Sequence, residues 1–314
     1  MKIFINNDIL EKFTLTSELL LLLGLHKSYP SEPPHCYNHE HKNRYYPLLE
    51  YSNKHIHYTD DITDCDVIIL PYKYKSFSND TFLQELYMLS LRCNKPLLCF
   101  YNDDNDTPLD TPTNIHVYRT SFYHSTKKMN EYALTAFSPD FFKGDYLEEP
   151  ALSIGYCGHE LAGRKKYLGQ FLQSNIQTNF ILRKGFWAPG INKTRAMQEF
   201  NDTIQNNLFT FCYRGAGNFS YRLYQTLMMG RIPILINTDC VFPFNEQYNL
   251  QELGVIIDEK DIINNNIDII QIIKEYYKTN KDRLVDIQKN NRIIWETYFS
   301  PVGFCDHICK KYTQ

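Results

Sequence analysis

The chain has 314 residues, longer than one hydrophobic core usually serves, so two α/β domains of roughly 150 residues each are expected. Hydrophobic residues make up 43% and aromatics 15%, enough apolar surface for sizeable cores. The 33 basic and 36 acidic residues are interspersed and leave a net charge of −3, a balance that gives no reason to expect nucleic acid or an anionic membrane as a partner.

Nine cysteines, an odd number without regular spacing, sit mostly in apolar runs such as Leu98-Cys99-Phe100 and Phe211-Cys212-Tyr213. That pattern fits neither a disulfide framework nor paired zinc ligands, and a cytoplasmic location is the expectation. The Leu19–Leu23 run is too short to span a bilayer, so no integral membrane segment is expected. The 24 tyrosines suit carbohydrate contact as well as half-buried scaffold.

In chain order, a strand over Ile3–Ile5, a helix near Thr14–Leu23, a strand at Asp66–Leu70, a helix near Asp80–Arg92 and strands at Pro96–Tyr101 and Ile115–Tyr118 form a β/α alternation. Such alternation predicts a mostly parallel sheet with helices on its faces. The Pro/His-rich Ser28–Tyr46 reads as an irregular insertion, with an acceptor surface as the functional alternative. The pattern breaks over Phe137–Pro150, which places a domain boundary near residue 150.

The alternation resumes with strands at Ser153–Cys157, Asn179–Arg183, Leu208–Tyr213, Ile232–Asn237 and Gly254–Asp258, and helices from Arg164 and over Arg195–Asn206. Helical patterns follow at Ile267–Lys278 and Arg283–Tyr298. The expected division is therefore 1–150, 151–296 and a tail, 297–314, whose Phe304, Ile308 and Tyr312 suit a helix returning to the first domain.

The most informative stretch runs from Leu208 to Asn237. A buried strand ends at Arg214, the turn Gly215-Ala-Gly217 follows, and Asn218 or Ser220 caps a helix whose Phe219, Leu223 and Leu227 share one stripe. Gly230 closes that helix and a strand starts at once. Such a unit aims backbone N–H groups at one spot beyond the strand ends, a ready anion site. Arg214 and Arg222 are expected to add bidentate charge to a diphosphate there, with Gln225 one turn on and within reach of a ribose. The dinucleotide fingerprint and the phosphate-loop lysine are both absent.

The segment Phe211-Cys-Tyr-Arg-Gly-Ala-Gly-Asn-Phe-Ser-Tyr-Arg-Leu-Tyr-Gln-Thr-Leu227, with Gly230-Arg-Ile-Pro-Ile234 and Pro243-Phe244, resembles the donor-site signature of exostosin-like glycosyltransferases. The likeness covers about a third of the chain, from Ile154 to Asn245, and its specific part is Phe209–Phe244. It implies an inverting, metal-independent enzyme of GT-B fold: two Rossmann-like domains facing across a cleft. A nucleotide-sugar donor, UDP-linked, and a glycan or glycoconjugate acceptor are implied as its partners, with no further cofactor. By the resemblance, Arg214 with Gly215, and Ser220 with Arg222, hold the diphosphate. Gln225 stands where the family commonly has a ribose-binding Glu, a departure that puts that contact in doubt. The Gly158 turn with Arg164, and Arg183 with Lys184, fall on two earlier strand-to-helix loops, where they either add donor contacts or are ordinary surface cations, the second reading being favoured for Arg164 and Lys184. Asp239 reads either as a sugar-hydroxyl partner or as a turn former.

An inverting transfer needs a general base, expected just after a strand of the first domain. Asp8, Asp103, Asp104 and the Arg119–Glu131 segment qualify, with Glu131 placed first and Asp103 and His124 behind it. Asp104-Asn105-Asp106 and Asp64-Cys65-Asp66 carry the D-x-D pattern of metal-dependent transferases, which defines the alternative enzyme reading. A catalytically inactive glycan- or nucleotide-binding module is the alternative outside enzymes. His26, His35, His39 and His41, with Cys36, fit no standard zinc spacing.

Overall fold

The computed structural model describes residues 1–4, 47–48, 50–160, 162–185, 188–265 and 267–313. The expected helix near Thr14–Leu23, the Ser28–Tyr46 insertion with its histidines and Cys36, and Asp8 lie outside the described residues.

Two all-parallel sheets account for the described strands. The first contains β1 (Lys2–Phe4), β2 (His57–Thr59), β3 (Val67–Ile69), β4 (Leu97–Tyr101), β5 (Ile115–Arg119) and β6 (Glu131–Ala133), in the order β2-β1-β3-β4-β5-β6. The second contains β7 (Ser153–His159), β8 (Gln177–Arg183), β9 (Phe209–Cys212), β10 (Ile232–Asn237) and β11 (Val255–Asp258), in the order β11-β10-β9-β7-β8. Each sheet with its helices forms a Rossmann-like domain, two in succession along the chain. Strands β2 and β6 were not anticipated, because three residues are too few to show a period.

Near-continuous apolar strands reflect burial on both faces. All five residues of β4 are buried, as are the four of β9. Helix α1 (Thr81–Cys93) covers one face of the first sheet; Asp80 caps its start, accepting from the Leu83 N–H at 2.9 Å, and Asn94 ends it in the left-handed region. The second sheet carries α2 (Ala162–Gln173) after β7, α3 (Lys193–Gln205) after β8 and α4 (Tyr221–Met228) after β9. Then come α5 (Glu259–Asn265), α6 (Ile269–Thr279), α7 (Leu284–Ile294), a π-helical turn at Trp295–Phe299 and α8 (Pro301–Tyr312).

Helix α8 packs on the first domain: Phe304, Cys305, Ile308 and Cys309 share a core with Ile3, Val67, Leu98 and Tyr118. The Tyr51 hydroxyl donates to Asp306 at 2.8 Å, and Tyr312 meets His116 at 2.7 Å. None of the described helices is long and apolar enough to cross a membrane.

From β7 the chain crosses to β8 on one side and then returns to β9 on the other, so the strand order reverses between β7 and β9. In an open parallel sheet the crevice beyond the carboxyl ends at such a point is where ligands bind.

Candidate active site

The floor of this crevice follows from the β9–α4–β10 unit. Gly230, at φ +58°, lets α4 end in a tight reversal in which the N–H groups of Gly230 and Arg231 bond to Leu227 and Thr226. Ser220 stands at the helix start without using its hydroxyl as a cap, so the opening turn of α4 has no side-chain partner. Two residues on, the Arg222 side chain turns under the end of β7. Its Nη2 donates to the Cys157 carbonyl at 2.7 Å, and its guanidinium lies 4.3 Å from the Tyr156 ring centroid. Gly158 makes this approach possible, since a Cβ there would stand 2.6 Å from Nη2 of Arg222.

Arg164, from the first turns of α2, bridges the same reversal point. It donates to the His159 carbonyl at the end of β7 (3.2 Å) and to the Arg214 carbonyl beyond β9 (2.8 Å). Arg164 is only 7% exposed and Arg222 8%, and in both Nε lacks any partner among the described residues. Neither forms an ion pair with a described carboxylate. Burial, reinforced by the Arg222 charge, holds the Arg164 guanidinium below its ordinary value despite the help of Tyr156. Two buried cations beside each other without a counter-charge are costly unless an anion completes them. Arg164 is therefore buried at the crevice, where the surface-cation alternative does not hold and the donor-contact one remains.

Arg214 departs from expectation. Its guanidinium reaches across to the first domain, with Nη2 2.8 Å from Oδ2 of Asp106 and Nη1 2.6 Å from the Tyr123 hydroxyl. Burial opposes its charge, but these two partners win and raise its pKa. The glycine turn is likewise drawn into the domain seam. A Cβ on Gly217 would stand 2.7 Å from the Ser121 hydroxyl and 2.8 Å from the Asp104 carbonyl. Asn218 accepts the Thr238 hydroxyl at 2.6 Å and donates to the Phe122 carbonyl at 3.0 Å, while its N–H donates to Ser121 at 2.7 Å. The Gly215 N–H bonds to Phe219. Asp239, at φ +63°, accepts from the Ser125 N–H (2.9 Å) and hydroxyl (2.6 Å). Arg214, Gly217, Asn218 and Asp239 thus join the domains.

Arg183 pairs with Glu199 and touches the Cys157 sulfur at 3.7 Å. Gln225 is half-buried, and its side-chain amide has no partner among the described residues. Of the expected bases, Glu131 is fully buried. Its Oε1 meets Arg119 Nη1 at 2.9 Å and its Oε2 accepts the Lys128 N–H at 2.9 Å. A carboxylate so enclosed cannot take a proton from an acceptor; it anchors the loop after β5, which corrects its placement as the base. Asp103 is tied to Lys73 and to the Asn105 N–H. His124 is exposed, and its own N–H donates to the Asp239 carbonyl. In the D-x-D sequences, Asp106 is paired with Arg214 and Asp64 with Lys2.

Over 104 residues the chain is 24% identical to exostosin-1a of Danio rerio, a match covering 33% of this chain and 13% of that one. The chain is similar to the exostosins. The exostosin-1 homolog of Caenorhabditis elegans is 21% identical over 113 residues, covering 36% and 28% of the two chains. A probable beta-1,4-xylosyltransferase of Arabidopsis thaliana is 33% identical over 63 residues, 20% of this chain and 15% of that one. The chain thus spans only a small part of the length of these curated relatives. No protein-family model matches it. Among solved structures, a protein of Anabaena in complex with UDP and glucose aligns over 99% of this chain and 98% of its own at 11% identity and a TM-score of 0.36.

Beside the expected residues the structure adds others that sequence reasoning missed. Tyr156 lies under Arg222 and donates to the His159 carbonyl at 2.8 Å. Glu259, opening α5, accepts from both Tyr167 and Tyr213 at 2.9 Å. Asp106 carried a signal, its acidic cluster, but the pattern pointed to a cation of another kind.

Proposed function

We propose that the chain is an inverting glycosyltransferase that moves a sugar from a nucleoside-diphosphate sugar to a hydroxyl of a glycan or glycoconjugate. The donor is UDP-linked and the reaction metal-independent, as the exostosin resemblance implies. The supporting observation is the pair Arg164 and Arg222, buried without an acidic partner at the strand-order reversal. A diphosphate completes their hydrogen bonding and cancels their charge. As the glycosidic bond to the phosphate breaks, negative charge grows on the departing diphosphate. Fixed guanidinium groups in a poorly hydrated crevice stabilise that charge without reorganising, the work a divalent cation does in other transferases. The uncapped start of α4 adds its partial positive charge.

The base comes from the first domain. Of the three residues placed first, Glu131 is enclosed and Asp103 held by Lys73, which leaves His124, whose side chain has no partner among the described residues, to take the acceptor proton in this reading. Gln225 donates to a ribose hydroxyl in place of accepting from one.

The test is turnover of UDP-sugars by the wild type and by Arg222→Ala. Loss of roughly 10³-fold in kcat/KM is expected from removing a donor to the leaving group. Undiminished turnover in that variant refutes the reading.

A further inference from the structure

Arg164 and Arg222 are held in place without a carboxylate, and the groups that hold them converge on one side chain. Tyr156, in the middle of β7 and 0% exposed, lays its ring under Arg222, 4.3 Å from the guanidinium, while the Phe200 ring of α3 stands 5.7 Å from the same cation. Its hydroxyl donates to the His159 carbonyl at 2.8 Å. That carbonyl also accepts from Nη1 of Arg164, at 3.2 Å. One residue therefore meets Arg222 through its ring and reaches Arg164 through a single shared oxygen.

The ring is itself fixed. Its register partner on β8 is Phe180, with centroids 6.2 Å apart, and Phe211 of β9 lies 5.8 Å away. Gly158, two residues on and on the same face of β7, leaves this space open: a Cβ there would stand 3.3 Å from the Tyr156 hydroxyl as well as crowding Arg222. An aromatic face attracts a guanidinium without using up its N–H groups or cancelling its charge. A carboxylate in the same place would do both. Stacking alone requires only a phenyl ring, and the hydroxyl is what ties this platform to the second cation.

We propose that Tyr156 is a positioning residue that sets the spacing between Arg222 and Arg164, so that the pair spans the two phosphates of one diphosphate, an inference that rests on the diphosphate reading above. The ring fixes Arg222, and the hydroxyl, through the His159 carbonyl, fixes Arg164. A ligand bridging both cations depends on the distance between them, whereas a lone phosphate held by one guanidinium does not. Tyr156 acts through the arginines and touches no ligand itself.

Calorimetric titration of the full chain with inorganic pyrophosphate and with orthophosphate tests this. The wild type should prefer pyrophosphate. Tyr156→Phe keeps the ring and its packing but removes the hydroxyl. It should weaken pyrophosphate about tenfold, the scale of one hydrogen bond to a charged group, and leave orthophosphate within about twofold of the wild type. Arg164→Met, which removes a cation that no carboxylate balances, should keep the fold and weaken pyrophosphate by itself. Tyr156→Phe added to that variant should then cost nothing more, because the hydroxyl acts only through Arg164. A wild type without preference for pyrophosphate, a Tyr156→Phe protein that retains the preference or loses both ligands equally, or a loss that adds in full to that of Arg164→Met overturns the positioning role and leaves the diphosphate reading intact. A wild type that binds neither ligand overturns both.

Discussion

The two ends of the second sheet treat arginine in opposite ways. At the amino end, Arg231, 1% exposed, donates to the carbonyls of Gln205, Asp145, Met229 and Gly230 and to the Gln288 side chain. Burial pushes it down to about 10, yet it remains charged at neutral pH with its donors in use. At the carboxyl end, Arg222 is nearly as deep but donates to a single carbonyl, and Arg164 to two. Depth alone does not separate scaffold from site; the number of acceptors around the cation does. A guanidinium has five N–H groups, and those left unmet in a buried place are a demand for a ligand.

The sharpest way to break this comparison is Arg222→Met. Removing a cation that the fold leaves unpaired should hold stability level or raise it by about 1 kcal/mol, while pyrophosphate and nucleotide binding disappear in calorimetry. A large fall in the unfolding midpoint would make Arg222 a second scaffold arginine. Next in size is Glu131→Gln in the first domain, where Arg119 would lose its buried counter-charge. The expected cost is about 3–4 kcal/mol in denaturant unfolding, with turnover per folded molecule retained. Collapse of kcat at unchanged stability would instead return Glu131 to the chemistry. Arg231→Met should cost roughly 3 kcal/mol by orphaning the carbonyls it serves, and leave nucleotide affinity as it was.

What the sequence revealed follows from how local each feature is. Strands β4, β9 and β10 are visible because burial on both faces makes them continuous apolar runs. The end of α4 is visible because a left-handed residue there favours glycine. The seam was hidden: Gly217 is bare because Asp104 and Ser121, from the other domain, press against it. That is a contact no local pattern encodes. Glu131 was misread for a similar reason, since its partner Arg119 sits on the neighbouring strand and β6 is too short to announce itself. Arg164 looked like any helix cation until the fold laid it across the ends of two strands.

The smallest effect concerns Arg214, which stands between the two classes, half-buried and paired across the seam. Burial would raise the Asp106 carboxyl, but the hydrogen bonds from Arg214 and Tyr123 outweigh it and hold its pKa below the ordinary carboxylate value. A carboxyl depressed on folding stabilises the folded state above its unfolded pKa, about 4, and this stabilisation is lost as pH falls through the folded value. Between pH 7 and about 5 the contribution should therefore be constant. Asp106→Asn should cost about 1 kcal/mol at pH 7, the scale of a partly exposed ion pair. In denaturant unfolding the gap between variant and wild type should close as pH falls below about 4, since protonation then removes in the wild type what the substitution removed. The hydrogen bonds from Ser125 to Asp239 lie at the same seam but do not involve Asp106. A gap that stayed constant down to pH 2 would show that Asp106 joins the domains by shape and neutral hydrogen bonds. Arg214 would then count with the unpaired cations of the crevice, free to turn toward an anion when one arrives.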